Sequence, residues 1–144
     1  MTLPSYLDLK KQENIAILAM KNKTNVLTPQ IMEELGQVLM SLDKDPEVRI
    51  IILTGNGAKS FIAGADIKTM QNLDIPGAIT FITNLHLLID TIRRMNKLVI
   101  AAINGHCFGG GLELVVCCDF IVAADNAIFG MQEVALGIPS VIEA

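Results

Sequence analysis

Hydrophobic and polar positions change rhythm in a regular way along this chain. Ile15–Met20, residues 48–54 and Leu98–Ile103 are short runs rich in Ile, Leu and Val, the pattern of buried strands. Residues 3–8 form another candidate strand, set off from Ile15–Met20 by the polar residues 10–14, and the two together suggest a hairpin. Between the strands the period lengthens. Thr28-Pro29 marks a helix start, because Thr can cap free N–H groups and Pro suits the first helical position. Ile31, Leu35, Val38 and Leu42 follow at helical spacing, and residues 43–46 stop that helix. Ile79, Ile82, Leu85, Ile89 and Ile92 mark one face of a longer helix over residues 78–95, with Asp90, Arg93 and Arg94 off it. Residues 60–68, SFIAGADIK, predict an irregular turn opening into a short helix. Residues 112–118 are apolar except for Glu113 and predict a buried helix, while Phe120–Ala123 and residues 127–130 predict two further strands. Strands alternating with helices place the chain in the α/β class, and its 144 residues fit one domain.

Candidate chemistry gathers in residues 98–120. The strand at Leu98–Ile103 runs into Asn104-Gly105, then into Gly109, Gly110 and Gly111, and then into the apolar helix. A helix entered from a glycine turn starts with N–H groups that have no intrahelical acceptor, and its dipole favours negative charge there. Glycine also lets a ligand approach the backbone closely. Glu113 falls in the first turn of that helix, within reach of whatever the turn binds. Tight packing alone would also account for the glycines, and a first-turn Glu can be no more than a dipole partner. A nucleotide-binding loop is disfavoured, since GHCFGGGLE fits neither the Walker pattern nor G-x-G-x-x-G. A second turn, Ala63-Gly64-Ala65-Asp66, also follows a buried strand and opens a helix. Two such turns on neighbouring strands could each aim one N–H at a common point and form an oxyanion hole. Alternatively, Asp66 caps its helix and Gly64 relieves a tight bend.

Composition narrows the classes of partner. The chain is 51% hydrophobic and 18% charged, with a net charge of −4 and 11 basic residues that form no cluster, which argues against nucleic acid. No uninterrupted apolar segment is long enough to span a bilayer, and the first residues lack a basic region followed by an apolar core. A cytoplasmic location without membrane contact is therefore expected. Cys107, Cys117 and Cys118 have neither metal-ligand spacing nor a paired framework, so free thiols in a reducing compartment are expected, with no metal site. His86 and His106 are read as structural residues. So apolar a chain, ending at residues 134–144 on an apolar run without a polar tail, is expected to be covered by more chain or by another subunit.

SFIAGADIK, AAINGHCFGGGLELVVCCDFIVAADNAIFG and MQEVALG together resemble the crotonase (enoyl-CoA hydratase/isomerase) superfamily, and the resemblance covers nearly the whole chain. It implies a crotonase-like spiral of repeated β-β-α turns and an acyl-CoA thioester as substrate. Residues 1–144 would then be the N-terminal spiral core of a domain about twice this length, without its C-terminal helices. By position in the family's motifs, the N–H groups of Ala65 and Gly110 form the oxyanion hole. Ala63, Ala65, Asp66, Ile67, Lys68 and Gly110 line the coenzyme A site, and Glu113 and Glu133 are the paired acids that flank the reacting carbons. Having both acids favours hydration of an enoyl-CoA over a plain double-bond shift. No cofactor is implied, since coenzyme A is part of the substrate. A homotrimer or a dimer of trimers is implied as the assembly.

Two departures from the family's hydratases stand out. Gln132 precedes Glu133 where those enzymes usually have Pro, and Ile138-Pro139-Ser140-Val141 is shorter than their loop and lacks its glycines. Both fall where the family shapes the acyl end of the pocket and supports the second acid. The alternatives are an enoyl-CoA isomerase or acyl-CoA thioester hydrolase on the same scaffold and, from another class, a non-catalytic acyl-CoA binding or subunit-interaction module.

Overall fold

A computed structural model describes residues 6–21 and 25–137. Among them the chain forms β1 (Leu7–Gln12), β2 (Ile15–Met20), α1 (Pro29–Lys44), β3 (Ile50–Thr54), β4 (Ser60–Ile62), α2 (Ile67–Gln71) and α3 (Ile75–Arg93). After these come β5 (Leu98–Ile103), β6 (His106–Phe108), α4 (Gly110–Val115), β7 (Phe120–Ala123), β8 (Phe129–Gly130) and a 3-10 helix (Gln132–Leu136). Strands β2, β3, β5 and β7 run parallel in one sheet, with β1 antiparallel at its edge. The short strands β4, β6 and β8 form a second, parallel sheet. From β3 onward each turn of chain gives one strand to the large sheet, one to the small sheet, and then a helix. The α/β class and the β-β-α spiral are both present.

Alternation decides which side of the large sheet is core. Ala16, Leu18 and Met20 on β2, Ile51 and Leu53 on β3, and Val99, Ala101 and Ile103 on β5 are all buried, while the residues between them are half-buried or exposed. Against that face lie α1, through Ile31, Met32, Leu35, Leu39 and Leu42, and α3, which packs on α1. Helix α1 begins as its sequence predicts: the Thr28 hydroxyl accepts from the Ile31 N–H at 3.3 Å, and Pro29 occupies the first turn.

Four local expectations need correction. The first strand is Leu7–Gln12 rather than residues 3–8, because a two-residue turn at Glu13-Asn14 pairs Gln12 with Ile15 and Leu7 with Met20. Its polar residues 10–12 are tolerable because β1 is an edge strand; residues 3–5 lie outside the described region. Ser60–Ile62 is a strand, not turn, and His106–Phe108 is a further short strand; three residues are too few to show an alternation. Helix α4 starts at Gly110 and ends at Val115, earlier than residues 112–118 suggest, because Gly109 takes the N-cap position and the next two glycines are already helical. On α3 the buried stripe is Phe81, Leu85, Leu88, Ile89 and Ile92, whereas Ile79 and Ile82 are 61% and 44% exposed. At 100° per residue Ile79 lies about 120° from Leu85, well off the stripe, while Ile82, about 60° away on the side opposite Leu88, falls at its edge.

By length and composition alone α3 could cross a membrane, with 28% of it buried; Asn84, His86 and Asp90 interrupt its apolar sequence. A second apolar surface lies at the last large-sheet strand, where Phe120, Ile121 and Val122 are 58%, 50% and 61% exposed. Contiguous apolar surface of this kind drives association. Light scattering on the purified 144-residue chain should therefore report oligomers or aggregates. A stable monomer of 15.6 kDa would show that these faces need no cover.

Candidate functional site

The small sheet gathers three loops. Ile62 pairs with Cys107 and Cys107 with Phe129, so β4, β6 and β8 end level with one another. Parallel strands send their chains out at the same, C-terminal end, where ligands of open α/β sheets commonly bind. The loops emerging there are residues 63–66, the Gly109-Gly110 turn, and residues 131–133.

The first loop is held by a short parallel pairing with residues 25–27. Ala63 N–H donates to the Asn25 carbonyl at 2.9 Å, Leu27 N–H to the Gly64 carbonyl at 2.8 Å, and Asp66 N–H to the Leu27 carbonyl at 3.1 Å. In such a bridge the bonds go to the neighbours of the paired residue. Ala65 N–H is therefore turned away from Leu27, and among the described residues no backbone acceptor takes it. Gly64 has φ +91°, and a Cβ there would stand 3.3 Å from the Phe108 carbonyl oxygen, so the first loop rests directly on the second.

The second loop turns on Gly109. Its N–H donates to the Gly130 carbonyl at 2.9 Å, its carbonyl accepts the Glu113 N–H at 3.0 Å, and its φ is +50°. Gly110 follows as the first residue of α4, packed on the Leu27 side chain, and among the described residues its N–H has no backbone acceptor. Glu113, 5% exposed, stands in the first turn of α4. Glu133 approaches from the third loop, and its carboxylate lies against the Gly109 backbone where a Cβ would otherwise be. Oε2 of Glu133 is buried and has no hydrogen-bond partner among the described residues. Glu113 and Glu133 thus meet at one residue, the first through a backbone hydrogen bond and the second through its side chain.

Other sequence-predicted residues fare differently. Asp66 starts α2: its carbonyl accepts the Met70 N–H, and its carboxylate accepts the Thr69 hydroxyl at 2.8 Å. Ala63 lies in the paired segment; the side chains of Ile67 and Lys68, and the loop at residues 138–141, lie outside the described residues. His106 stacks on Phe108 with ring centroids 5.2 Å apart, and His86 is exposed on α3. The three cysteines are free; burial pushes the thiols of Cys107 and Cys118 up to about 12 and raises that of Cys117. Among the described residues no three His, Cys, Asp or Glu side chains converge as metal ligands. A separate groove of about 200 Å³ between α1 and α3, with Met32, Met40 and Leu87 in its wall, contains none of the candidate residues. Sequence reasoning missed Leu27 and the contact of Glu133 with Gly109. The run of three glycines was the only signal of the latter.

Parallel strands that deliver two backbone turns and two acids to one end define an α/β protein with a candidate site at its strand termini. The chain belongs to the enoyl-CoA hydratase/isomerase family, whose model matches residues 10–142. It is 44% identical over 132 residues to the crotonyl-CoA hydratase of Syntrophomonas wolfei, covering 90% of this chain and 51% of that protein. It is 42% identical over 116 residues to the carnitinyl-CoA dehydratase of Citrobacter koseri, covering 81% and 44%. The crystal structure of an enoyl-CoA hydratase from Bacillus anthracis superposes with a TM-score of 0.90 at 30% identity, covering 93% of this chain and 53% of that one. The chain spans about half the length of the curated relatives it matches.

The contact at Gly109 generates a prediction. Gly109→Ala places a methyl group where the Glu133 carboxylate lies and holds a non-glycine residue at positive φ, which alone costs about 1–3 kcal/mol. Chemical denaturation should show at least that loss, and wild-type stability would mean that Glu133 does not pack on Gly109.

Proposed function

We propose that this chain carries the thioester-polarising and acid–base site of an enoyl-CoA hydratase, a hydro-lyase that adds water across the 2,3 double bond of an enoyl-CoA. The observation that carries the reading is the Glu133 carboxylate seated on Gly109, with one oxygen buried and without a partner among the described residues, beside the Gly110 N–H and the buried Glu113. Buried polar atoms without partners are rare, and an incoming water or substrate gives this one a partner. The names of the matched relatives favour addition or removal of water on a coenzyme A thioester.

In the proposed reaction the N–H groups of Ala65 and Gly110 donate to the thioester oxygen, which gains negative charge as water attacks Cβ. One carboxylate takes a proton from that water as its oxygen bonds to Cβ. The other acid supplies a proton to Cα, and the carbonyl re-forms. Two acids in different protonation states suit this division. Coenzyme A enters as part of the substrate, and the chemistry calls on no further cofactor. Ala63, Asp66, Ile67 and Lys68 complete the coenzyme A side of the site, and the family's trimeric assembly belongs to the same proposal. The open apolar faces favour a second reading, a non-catalytic acyl-CoA binding or interaction module. Calorimetric coenzyme A binding without turnover would support it.

Glu113→Gln and Glu133→Gln should each lower crotonyl-CoA hydration by about 10²–10⁴-fold while sparing coenzyme A binding. Near-normal turnover of Glu113→Gln would sink the hydratase reading, and inactivity of Glu133→Gln alone would favour double-bond isomerisation. Gly110→Pro removes one proposed donor at a helix position that tolerates Pro, so circular dichroism should stay native while turnover disappears. An active, folded Gly110→Pro chain would mean that the thioester oxygen is held elsewhere.

A further inference from the structure

The loop that leads from β3 to β4, and so to Ala65, has no helix of its own, and residues 56–59 are exposed. Two asparagine side chains hold it. On one side Asn104, just past β5, accepts the Gly55 N–H at 3.0 Å and donates to the Gly55 carbonyl at 3.1 Å and to the Gly57 carbonyl. On the other side Asn25, 1% exposed, donates its Nδ2 to the Asn56 carbonyl at 3.1 Å and to the Ser60 carbonyl at 2.7 Å.

Asn25 does a second thing that Asn104 does not. Its own carbonyl accepts the Ala63 N–H at 2.9 Å, the first of the three bonds that seat residues 63–66. One residue therefore fixes the start of β4 through its side chain and the exit of β4 through its backbone. To do both it adopts φ +50°, a left-handed conformation that asparagine tolerates better than most residues. Leu27 then completes the pairing that turns Ala65 N–H outward.

We propose that Asn25 is a positioning residue that sets the direction of the Ala65 N–H. The proposal rests on the reading of Ala65 as a donor to the thioester oxygen. Asn25 touches no substrate in this account; it fixes both ends of the short strand that delivers the donor. Its loss should weaken polarisation of the thioester, with little effect on the hold on coenzyme A.

The test uses the full 144-residue chain and two variants. Asn25→Gly keeps the left-handed backbone accessible and removes both side-chain donors; Asn25→Asp keeps the size and also removes the N–H donors. The probe is 2,4-hexadienoyl-CoA, whose conjugated absorption moves to longer wavelength when its carbonyl oxygen is hydrogen-bonded. Turnover of crotonyl-CoA is measured in parallel. Both variants should lose most of the absorption shift and about 10²-fold in kcat, with KM within about threefold of wild type. Retention of the shift and of kcat in a folded variant overturns the positioning role. So does a parallel loss of coenzyme A affinity and cooperative unfolding in both variants, which would mark Asn25 as structural. A wild-type chain that binds coenzyme A but neither shifts the probe nor turns over overturns the Ala65 reading, and the positioning role with it.

Discussion

Between the Glu133 carboxylate and the Gly109 backbone there is no room for a methyl group, and the backbone there takes a positive φ that most residues avoid. That close approach organises the rest of the site. Gly109 receives the Glu113 N–H from one side, donates to Gly130 on the other, and hands the chain to Gly110, whose N–H opens α4. A side chain at this position would push the second acid away and tilt the start of the helix. Two acids and one candidate donor are thus coupled through a single residue that has no side chain.

The sheets supply what Gly109 cannot. Each β-β-α turn adds a strand beside its predecessor in both sheets, so loops distant in sequence emerge side by side. The pairing of Ile62 with Cys107 and of Cys107 with Phe129 brings residues 63–66, 109–110 and 131–133 to one end. The same construction leaves the last strand of the large sheet bare, with Phe120, Ile121 and Val122 open to solvent. Among the described residues the three loops converge at one end while Phe120, Ile121 and Val122 face solvent on the large sheet.

Much of this was legible in the sequence where the signal is local. Thr28-Pro29 announces α1, the β-branched runs announce β2, β3 and β5, and three consecutive glycines before Glu113 announce the turn that matters most. Contacts that depend on register were not legible. Nothing in MQEVALG says that Glu133 rests on Gly109, since that follows from the pairing of Phe108 with Gly130 in a two-residue strand. Leu27 and Asn25 stayed hidden for the same reason: their partners lie at residues 56–66, more than 30 positions away, and offer only backbone groups, which carry no side-chain identity. The face of α3 was misjudged at Ile79 and Ile82, because an apolar helix surrounded by isoleucines does not say which of them is inside.

Hydrogen–deuterium exchange read by mass spectrometry, with and without acetoacetyl-CoA, tests whether the two glycine turns form one site. The account predicts slowed exchange in residues 63–66 and 109–113 together, because the thioester oxygen would engage the N–H groups of Ala65 and Gly110 at once. Protection confined to the groove between α1 and α3, or to only one of the two turns, would contradict it.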